Sequence, residues 1–304
     1  MRCLIVHNPR SGSRSDAIYQ FARAFATGGD EVVMRFVGDG MDSEDAVAGA
    51  EEFDRVVVSG GDGTISRALY RLRYSHAPVL VFPSGTANLF FNNIGNNPDP
   101  AALAETCRRG RTVTADMGEL EWQEEDGDVK RHGFIIIAGT GFDADIMFDA
   151  ENKKGNMGQI AYFISAFSNL NPQVAHFTIE HDGLVHERDG IGCMVGNTAV
   201  IQNDINLFPD CSMTDGLIDV AVIETDHTLE LAPTALAAVI DPEGKTLGRP
   251  QLKIYQTREV TITCTPSLNM EFDGELIESN TGVFSARALP GSLELIVDDN
   301  AKLS

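Results

Sequence analysis

The stretch Gly60-Gly61-Asp62-Gly63-Thr64 constrains the fold of this chain more than any other. It follows the apolar run Val56-Val57-Val58-Ser59, which reads as a buried strand. It precedes Ile65-Ser66-Arg67-Ala68-Leu69-Tyr70, which reads as a helix start. A glycine-rich turn between strand and helix lets bare backbone N–H groups approach a phosphate at the positive end of the helix. Asp62 adds a magnesium partner or a base, and Thr64 adds a hydroxyl. A plain βα turn with Asp or Thr as N-cap uses the same residues, and in isolation the stretch does not separate the two.

The surrounding pattern supplies a frame. Cys3–His7, Glu31–Val37, Val56–Ser59 and Ala77–Pro83 read as strands. Between them, Asp16–Ala26 carries helical spacing through Ile18, Phe21, Ala22 and Phe25, and Ser43–Phe53 reads as a helix with acids in its first turn. Strands alternating with helices imply a parallel sheet covered on both faces, a three-layer α/β domain over residues 1–115. Ligands bind beyond the carboxyl ends of such strands, where Asn8, Gly60 and Ser84 lie. From residue 116 to 304 short β-rich runs dominate: Phe134–Ala138, His176–Glu180, Ile191–Gly196, Leu217–Ile223, Glu259–Cys264, Met270–Phe272 and Leu293–Val297. These predict an antiparallel sandwich; packing of the last residues back on the first domain is a further expectation that the runs themselves do not decide. Two helices interrupt it, Gly158–Leu170 with an apolar stripe, and Leu229–Ile240, broken near its start by Pro233.

Composition narrows the function. A formal charge of −22 over 304 residues argues against nucleic acid, which needs an electropositive face. The basic clusters are Arg108-Arg109-x-Arg111 and Lys153-Lys154, and both read first as solvated surface. Lys153-Lys154-Gly155 is also a candidate for meeting membrane phosphates. The five cysteines, Cys3, Cys107, Cys193, Cys211 and Cys264, lack metal-ligand spacing and predict reduced, buried thiols in a cytoplasmic protein. No signal peptide and no apolar run of membrane-spanning length is present.

Several familiar devices are missing, including a Gly-x-x-x-x-Gly-Lys phosphate loop and a protein-kinase catalytic loop. Gly139-Thr140-Gly141-Phe142-Asp143-Ala144 fits a relaxed dinucleotide pattern but sits in the β-rich half. Seven Asp-Gly pairs punctuate the chain, at Asp39, Asp62, Asp126, Asp182, Asp189, Asp215 and Asp273. Most read as hairpin turns, and Asp273-Gly274 between Met270-Glu271-Phe272 and Leu276-Ile277 reads as a two-residue hairpin with Glu275 a polar strand residue.

Taken together, Asn8-Pro9-x-Ser11-Gly12, Gly60-Gly61-Asp62-Gly63-Thr64, Pro83-Ser84-Gly85-Thr86-Ala87-Asn88, Gly141-Phe142-Asp143-Ala144, Asp215-Gly216-Leu217-Ile218-Asp219-Val220, Asp273-Gly274-Glu275 and Leu289-Pro290-Gly291 carry a further signal. In this order they resemble the diacylglycerol kinase-like family of bacterial lipid kinases, which includes sphingosine kinases and relates distantly to NAD kinases. The resemblance covers nearly the whole chain. It implies an amino-terminal α/β domain, a β-sandwich domain, and ATP held in the cleft between them. It places Asn8, Ser11 and Gly12 at the nucleotide, Gly60, Gly61, Asp62, Gly63, Thr64 and Ser66 around phosphate, and Thr86 and Asn88 on a third loop. Glu275 matches the proton acceptor for the lipid hydroxyl, with Asp273 beside it and Asp62 a further acid at the chemistry. A structural Mg²⁺ maps onto Asp215 and the backbone carbonyls of Ser212 and Leu217.

The implied activity is transfer of the γ-phosphate of ATP to diacylglycerol or a similar lipid at the membrane surface, with the protein peripheral to the membrane and homodimerisation left open. Phosphoryl transfer asks mainly for positioning and charge neutralisation, which backbone N–H groups and Mg²⁺ supply. Two departures stand out. Leu89 occupies a position where many members carry Asp, and Val37 or Gly38 stands where members have Thr. Two rival readings are a kinase with a soluble acceptor such as NAD, and a non-catalytic nucleotide- or lipid-binding regulator.

Overall fold

The aliphatic runs at Arg2–His7, Arg55–Gly60 and Pro78–Pro83 become strands buried on both faces, as a parallel sheet under helices requires, while Glu31–Phe36 at the sheet edge is only partly buried. The computed structural model describes all residues except 13–15, 28, 39, 142–171, 203, 204, 278 and 304. Strand β1 (Arg2–His7), helix α1 (Ala17–Ala26), strand β2 (Glu31–Phe36), helix α2 (Ser43–Ala46), strand β3 (Arg55–Gly60), helix α3 (Asp62–Leu72), strand β4 (Pro78–Pro83) and helices α4 (Leu89–Ile94) and α5 (Pro100–Arg109) follow one another. The order in the sheet is β2-β1-β3-β4, all parallel. Ile18, Phe21 and Phe25 are the buried side of α1, three and four residues apart. Asp99 caps α5 through the amides of Ala101 and Ala102, with Pro100 in the first turn.

The second half is β-rich. Its strands are β5 (Arg111–Gln123), β6 (Val129–Phe134), β7 (Ile137–Gly141), β8 (Ala175–His181), β9 (Leu184–Gly190), β10 (Gly192–Gly196), β11 (Val200–Gln202), β12 (Ile205–Asn206), β13 (Ile218–Ile223), β14 (Leu252–Thr257), β15 (Glu259–Thr265), β16 (Met270–Phe272), β17 (Glu275–Ile277) and β18 (Val283–Val297), with helix α6 (Ala232–Ile240) after β13. One antiparallel sheet runs β14-β13-β10-β7-β16-β17. Facing it, β9, β8, β15 and the first residues of β18 pair in antiparallel register. Alternate residues of both layers form one core: Phe177 and Ile179, Val260 and Ile262, Cys193 and Val195, Ile218 with Val220 and Val222. The fold is α/β followed by a β-sandwich.

The chain divides into two compact units. The first is Met1–Met117 with Met213–Gly216 and Leu289–Ser304; the second is Gly118–Ser212 with Leu217–Ala288. The returning end of β18 adds Glu294 and Leu295 in parallel beside Pro78 and Val79 of β4.

Three local departures from the sequence expectation have physical causes. The helix expected over Ser43–Phe53 stops at Ala46 and resumes only as a 3₁₀ turn at Ala50–Glu52, because Gly49 takes a left-handed φ of 71°. The strand expected over Phe134–Ala138 breaks at Ile135–Ile136, where the amides leave the ladder for a side chain described below. Pro233 does not break its helix: a 3₁₀ turn at Thr228–Leu231 precedes it, and it sits in the first turn of α6, where its missing N–H costs nothing. The helix expected over Gly158–Leu170 and the pair Lys153-Lys154 lie outside the described residues. All five cysteines are free and buried.

Candidate functional site

The chain leaves β1 for β2 on one side and returns to β3 on the other, so the sheet has its topological switch point between β1 and β3, the place where sheets of this kind bind ligands beyond the carboxyl ends. The turns after β1, β3 and β4 are tied together there. Asn8 donates its amide to the Ser59 carbonyl at 2.8 Å and its side-chain Nδ2 to Thr64 Oγ1 at 2.8 Å. Gly61 N–H donates to Ser11 Oγ at 3.1 Å. His7 Nδ1 lies 2.9 Å from Ser59 Oγ, which lies 2.6 Å from Ser84 Oγ. Burial holds the His7 imidazole below its ordinary pKa, so the neutral ring is the resident form.

Glycine is required in these turns first for their contact with one another. A Cβ on Gly12, whose φ is +60°, would stand 2.1 Å from the Ser84 carbonyl oxygen. One on Gly85 would stand 2.6 Å from the Gly61 Cα, and one on Gly60 2.6 Å from the Thr64 Cβ. The Asn88 side chain closes its own loop, accepting from Gly85 N–H at 2.7 Å and donating to the Gly85 carbonyl at 3.1 Å, with its backbone left-handed at φ 51°.

Helix α3 begins at Asp62 with Gly61 extended, and no side chain caps it. The Asp62 carboxylate turns instead to the next helix, accepting from Leu89 N–H at 3.2 Å and Phe90 N–H at 3.1 Å. Burial nonetheless pushes its pKa above the usual carboxylate value. Asp62 therefore braces α4 against α3. The Leu89 substitution leaves this brace intact, because Leu89 contributes its backbone. Thr64 is half-buried and Thr86 exposed, whereas Ser66 is 1% exposed, on the inner side of α3.

Elsewhere in the first unit, Asp116 is 4% exposed, and its carboxylate accepts from Gly216 N–H at 2.6 Å and Gly291 N–H at 2.7 Å. Its own amide donates to the Met213 carbonyl. The segment carrying Asp215 is thus anchored at both ends, and Asp215 is exposed.

In the second unit, β16 and β17 form the two-residue hairpin that the sequence predicts, with Phe272 opposite Glu275 and left-handed Asp273 and Gly274 at the tip. The Asp273 carboxylate accepts three amides, from Ile135 at 2.8 Å, Ile136 at 2.8 Å and Ile137 at 3.2 Å. Those amides are what breaks the predicted strand. Asn197 holds the same segment from its other side, its amide donating to the Ile136 carbonyl and Nδ2 to the Ile135 carbonyl. Buried Glu271, 1% exposed, accepts from Gly274 N–H at 2.8 Å. Asp273 and Glu271 are occupied in shaping the turn, and Glu275, half-buried on β17, is the next carboxylate along it. His7, Ser59, Asn197 and Glu271 were not singled out from sequence. Glu271 alone left a trace there, an acid inside an otherwise apolar strand.

Comparisons with known proteins bear on both halves of the chain. Residues 2–120 match the diacylglycerol kinase catalytic domain, and residues 136–297 match the YegS C-terminal NAD kinase beta sandwich-like domain. The chain belongs to the diacylglycerol kinase-like family. It is accordingly a kinase, a phosphotransferase with an alcohol group as acceptor. It is 26% identical to the diacylglycerol kinase of Bacillus subtilis, over 90% of this chain and 89% of that protein. It is 28% identical to the diacylglycerol kinase of Mycobacterium tuberculosis, over 88% and 85%. Its fold is similar to a crystal structure of a diacylglycerol kinase from Bacillus anthracis, with a TM-score of 0.71 at 20% identity over 98% of this chain and 97% of that one. It is also similar to yeast NADH kinase, with a TM-score of 0.58 at 12% identity over 98% and 83%.

Two sequence features take other roles. Gly139-Thr140-Gly141 lies inside β7, paired with β10 and β16, rather than in a βα turn, which removes the dinucleotide pattern; residues 142–144 lie outside the described ones. Arg108 pairs with Asp30 and Glu105, and Arg109 with Glu105, so these two arginines are engaged with acids. Among the described residues, no helix is long and apolar enough to cross a membrane.

Proposed function

We propose that the protein is an ATP-dependent lipid kinase acting on diacylglycerol or a chemically similar lipid alcohol. The observation that carries the proposal is the uncapped start of α3 at the β1/β3 switch point, in a chain of this family whose similar curated relatives are named diacylglycerol kinases. The first-turn amides from Asp62 to Thr64, with the hydroxyls of Ser11, Thr64 and Thr86, form a donor set suited to the phosphates of ATP. Asn8, Gly12, Gly60, Gly61 and Asn88 support it by fixing the turns, and Ser66 is buried on the inner side of α3. Asp215, exposed on its anchored segment, fits a cation, with the carbonyls of Ser212 and Leu217 completing the set on the family pattern. Mg²⁺ held there or on the nucleotide would supply charge neutralisation of phosphate oxygens.

Glu275 takes the proton of the acceptor hydroxyl as that oxygen bonds the γ-phosphorus. The bond from phosphorus to the bridging oxygen breaks, and ADP leaves with that oxygen. Asp273 and Asp62 act as positioning residues, since their carboxylates are spent on backbone amides. Replacing Glu275→Gln should lower turnover about 10²–10⁴-fold while leaving ATP affinity by calorimetry within roughly threefold. Unchanged turnover would remove Glu275 as base. Radiolabelled ATP offered with a panel of lipid alcohols and NAD, with and without Mg²⁺, tests the acceptor, and labelling of NAD alone would overturn the lipid assignment.

A further inference from the structure

Helix α6 is apolar on every side. No charged residue occurs from Leu231 to Ile240. Thr234, Ala237 and Ala238 are its buried side, and Leu231 belongs to the cluster with Phe208, Met194 and Ala221 that covers the outer face of β10 and β13. The opposite side is just as apolar and faces solvent. Leu229 is 62% exposed, Leu236 51% and Ile240 64%, with exposed Pro233 between them. Their spacing of four, three and four residues, on a 3₁₀ turn that runs into α6, puts them on one side. Leu247, 49% exposed, follows on the next loop. A helix that is hydrophobic all round belongs in an apolar surrounding. Among the described residues, four of the fifteen exposed large hydrophobic ones fall in this one short segment, too many for the scattered singles that any surface carries.

We propose that this face is where the protein rests on a lipid bilayer, by inserting aliphatic side chains rather than by charge. The proposal rests on the lipid-kinase reading, because an enzyme whose acceptor is dissolved in a membrane has to meet that membrane. The chemistry of the face favours a bilayer over a protein partner. Its exposed large side chains are Leu and Ile, without the Tyr, Trp, Arg and Met that anchor protein interfaces, and it is far smaller than the roughly 20–30 residues a stable interface presents. Charges beside it are engaged: Glu230, exposed in the same 3₁₀ turn as Leu229, accepts from Thr225 Oγ1. Asp241 accepts the amides of Thr246 and Leu247, Lys245 pairs with Glu243, and Arg249 donates to the carbonyls of Asn206, Asp241, Pro242 and Gly248. A net charge of −22 opposes overall attraction to anionic headgroups, whereas apolar insertion does not depend on it.

Flotation of the full chain with phosphatidylcholine vesicles containing diacylglycerol tests this. The wild type should float in both low and high salt, with less than about a twofold change, since apolar insertion is not screened. Leu236→Ser with Ile240→Ser should weaken partitioning about tenfold or more, at unchanged melting temperature. Leu229→Gln, outside the helix, should weaken it by a smaller factor. Leu236→Trp should gain fluorescence quenched by brominated lipid. Equal flotation of wild type and double variant, loss of binding at high salt, or lack of quenching would each overturn the proposal. So would a wild-type dimer that the double variant dissolves, or a fall in melting temperature with both sets of variants, since the face would then be covered by protein. Transfer to a short-chain, water-soluble diacylglycerol separates the two readings. If the wild type labels no lipid alcohol, the kinase reading fails, while flotation still reports on the face.

Discussion

At the residue scale, the buried ionisable groups of the first unit are employed in holding turns together. His7 shows what this does to stability. Its folded pKa lies below the ordinary 6.5, so on acidification the unfolded chain takes up a proton that the folded chain refuses. The contribution of His7 is present above about pH 6.5 and is lost as pH falls through the folded value. Urea unfolding at a series of pH values should therefore show stability falling below that point, and His7→Asn should flatten the decline. Gly12 gives a second prediction. A methyl group there meets the Ser84 carbonyl at 2.1 Å on a backbone with φ +60°, so Gly12→Ala should cost about 2 kcal/mol or more in denaturant unfolding. Relief by movement of the turn would appear as weakened ATP binding rather than lost stability.

At the scale of elements, the Asp273 carboxylate ties the tip of the β16–β17 hairpin to the residues leading into β7. Asp273 accepts three amides that lie 136 to 138 residues away in sequence. Asp273→Ala strands those donors and should destabilise the protein by about 2–4 kcal/mol, with a fall in kcat because Glu275 two residues on loses its fixed approach. A variant with intact stability and turnover would show that the hairpin holds without this anchor. Spacing revealed the hairpin itself, since Asp-Gly between two short apolar runs is a local signal. It could not reveal the anchor. Phe134–Ala138 looks like one strand because the residues are right for one, and the interruption comes from Asp273, far along the chain. In the same way Ser43–Phe53 has helical composition, but the left-handed Gly49 decides where the helix stops. The three glycine turns are legible in the sequence because each falls at the end of an aliphatic strand. Their reason for being glycine was only half legible. Sequence suggests room for phosphate, and the geometry adds contact of one turn with another.

At the scale of the whole molecule, the first unit is not one stretch of chain. It is completed by Met213–Gly216, held through Asp116, and by Leu289–Ser304, whose buried Leu293, Leu295, Ile296 and Val297 include the residue paired beside β4. A fragment of residues 1–117 should consequently show no cooperative thermal transition by circular dichroism, and adding a peptide of residues 283–304 should restore part of it. A fragment that melts as sharply as the full chain would show that the sheet closes without its last strand.

The crowding of Gly12 on Ser84 and of Gly85 on Gly61 has one more consequence, for anyone exchanging parts among relatives. These turns touch through bare backbone, so none can be lengthened, shortened or given a side chain by itself without displacing its neighbour. Altered nucleotide preference would have to be engineered by transplanting all three as a set.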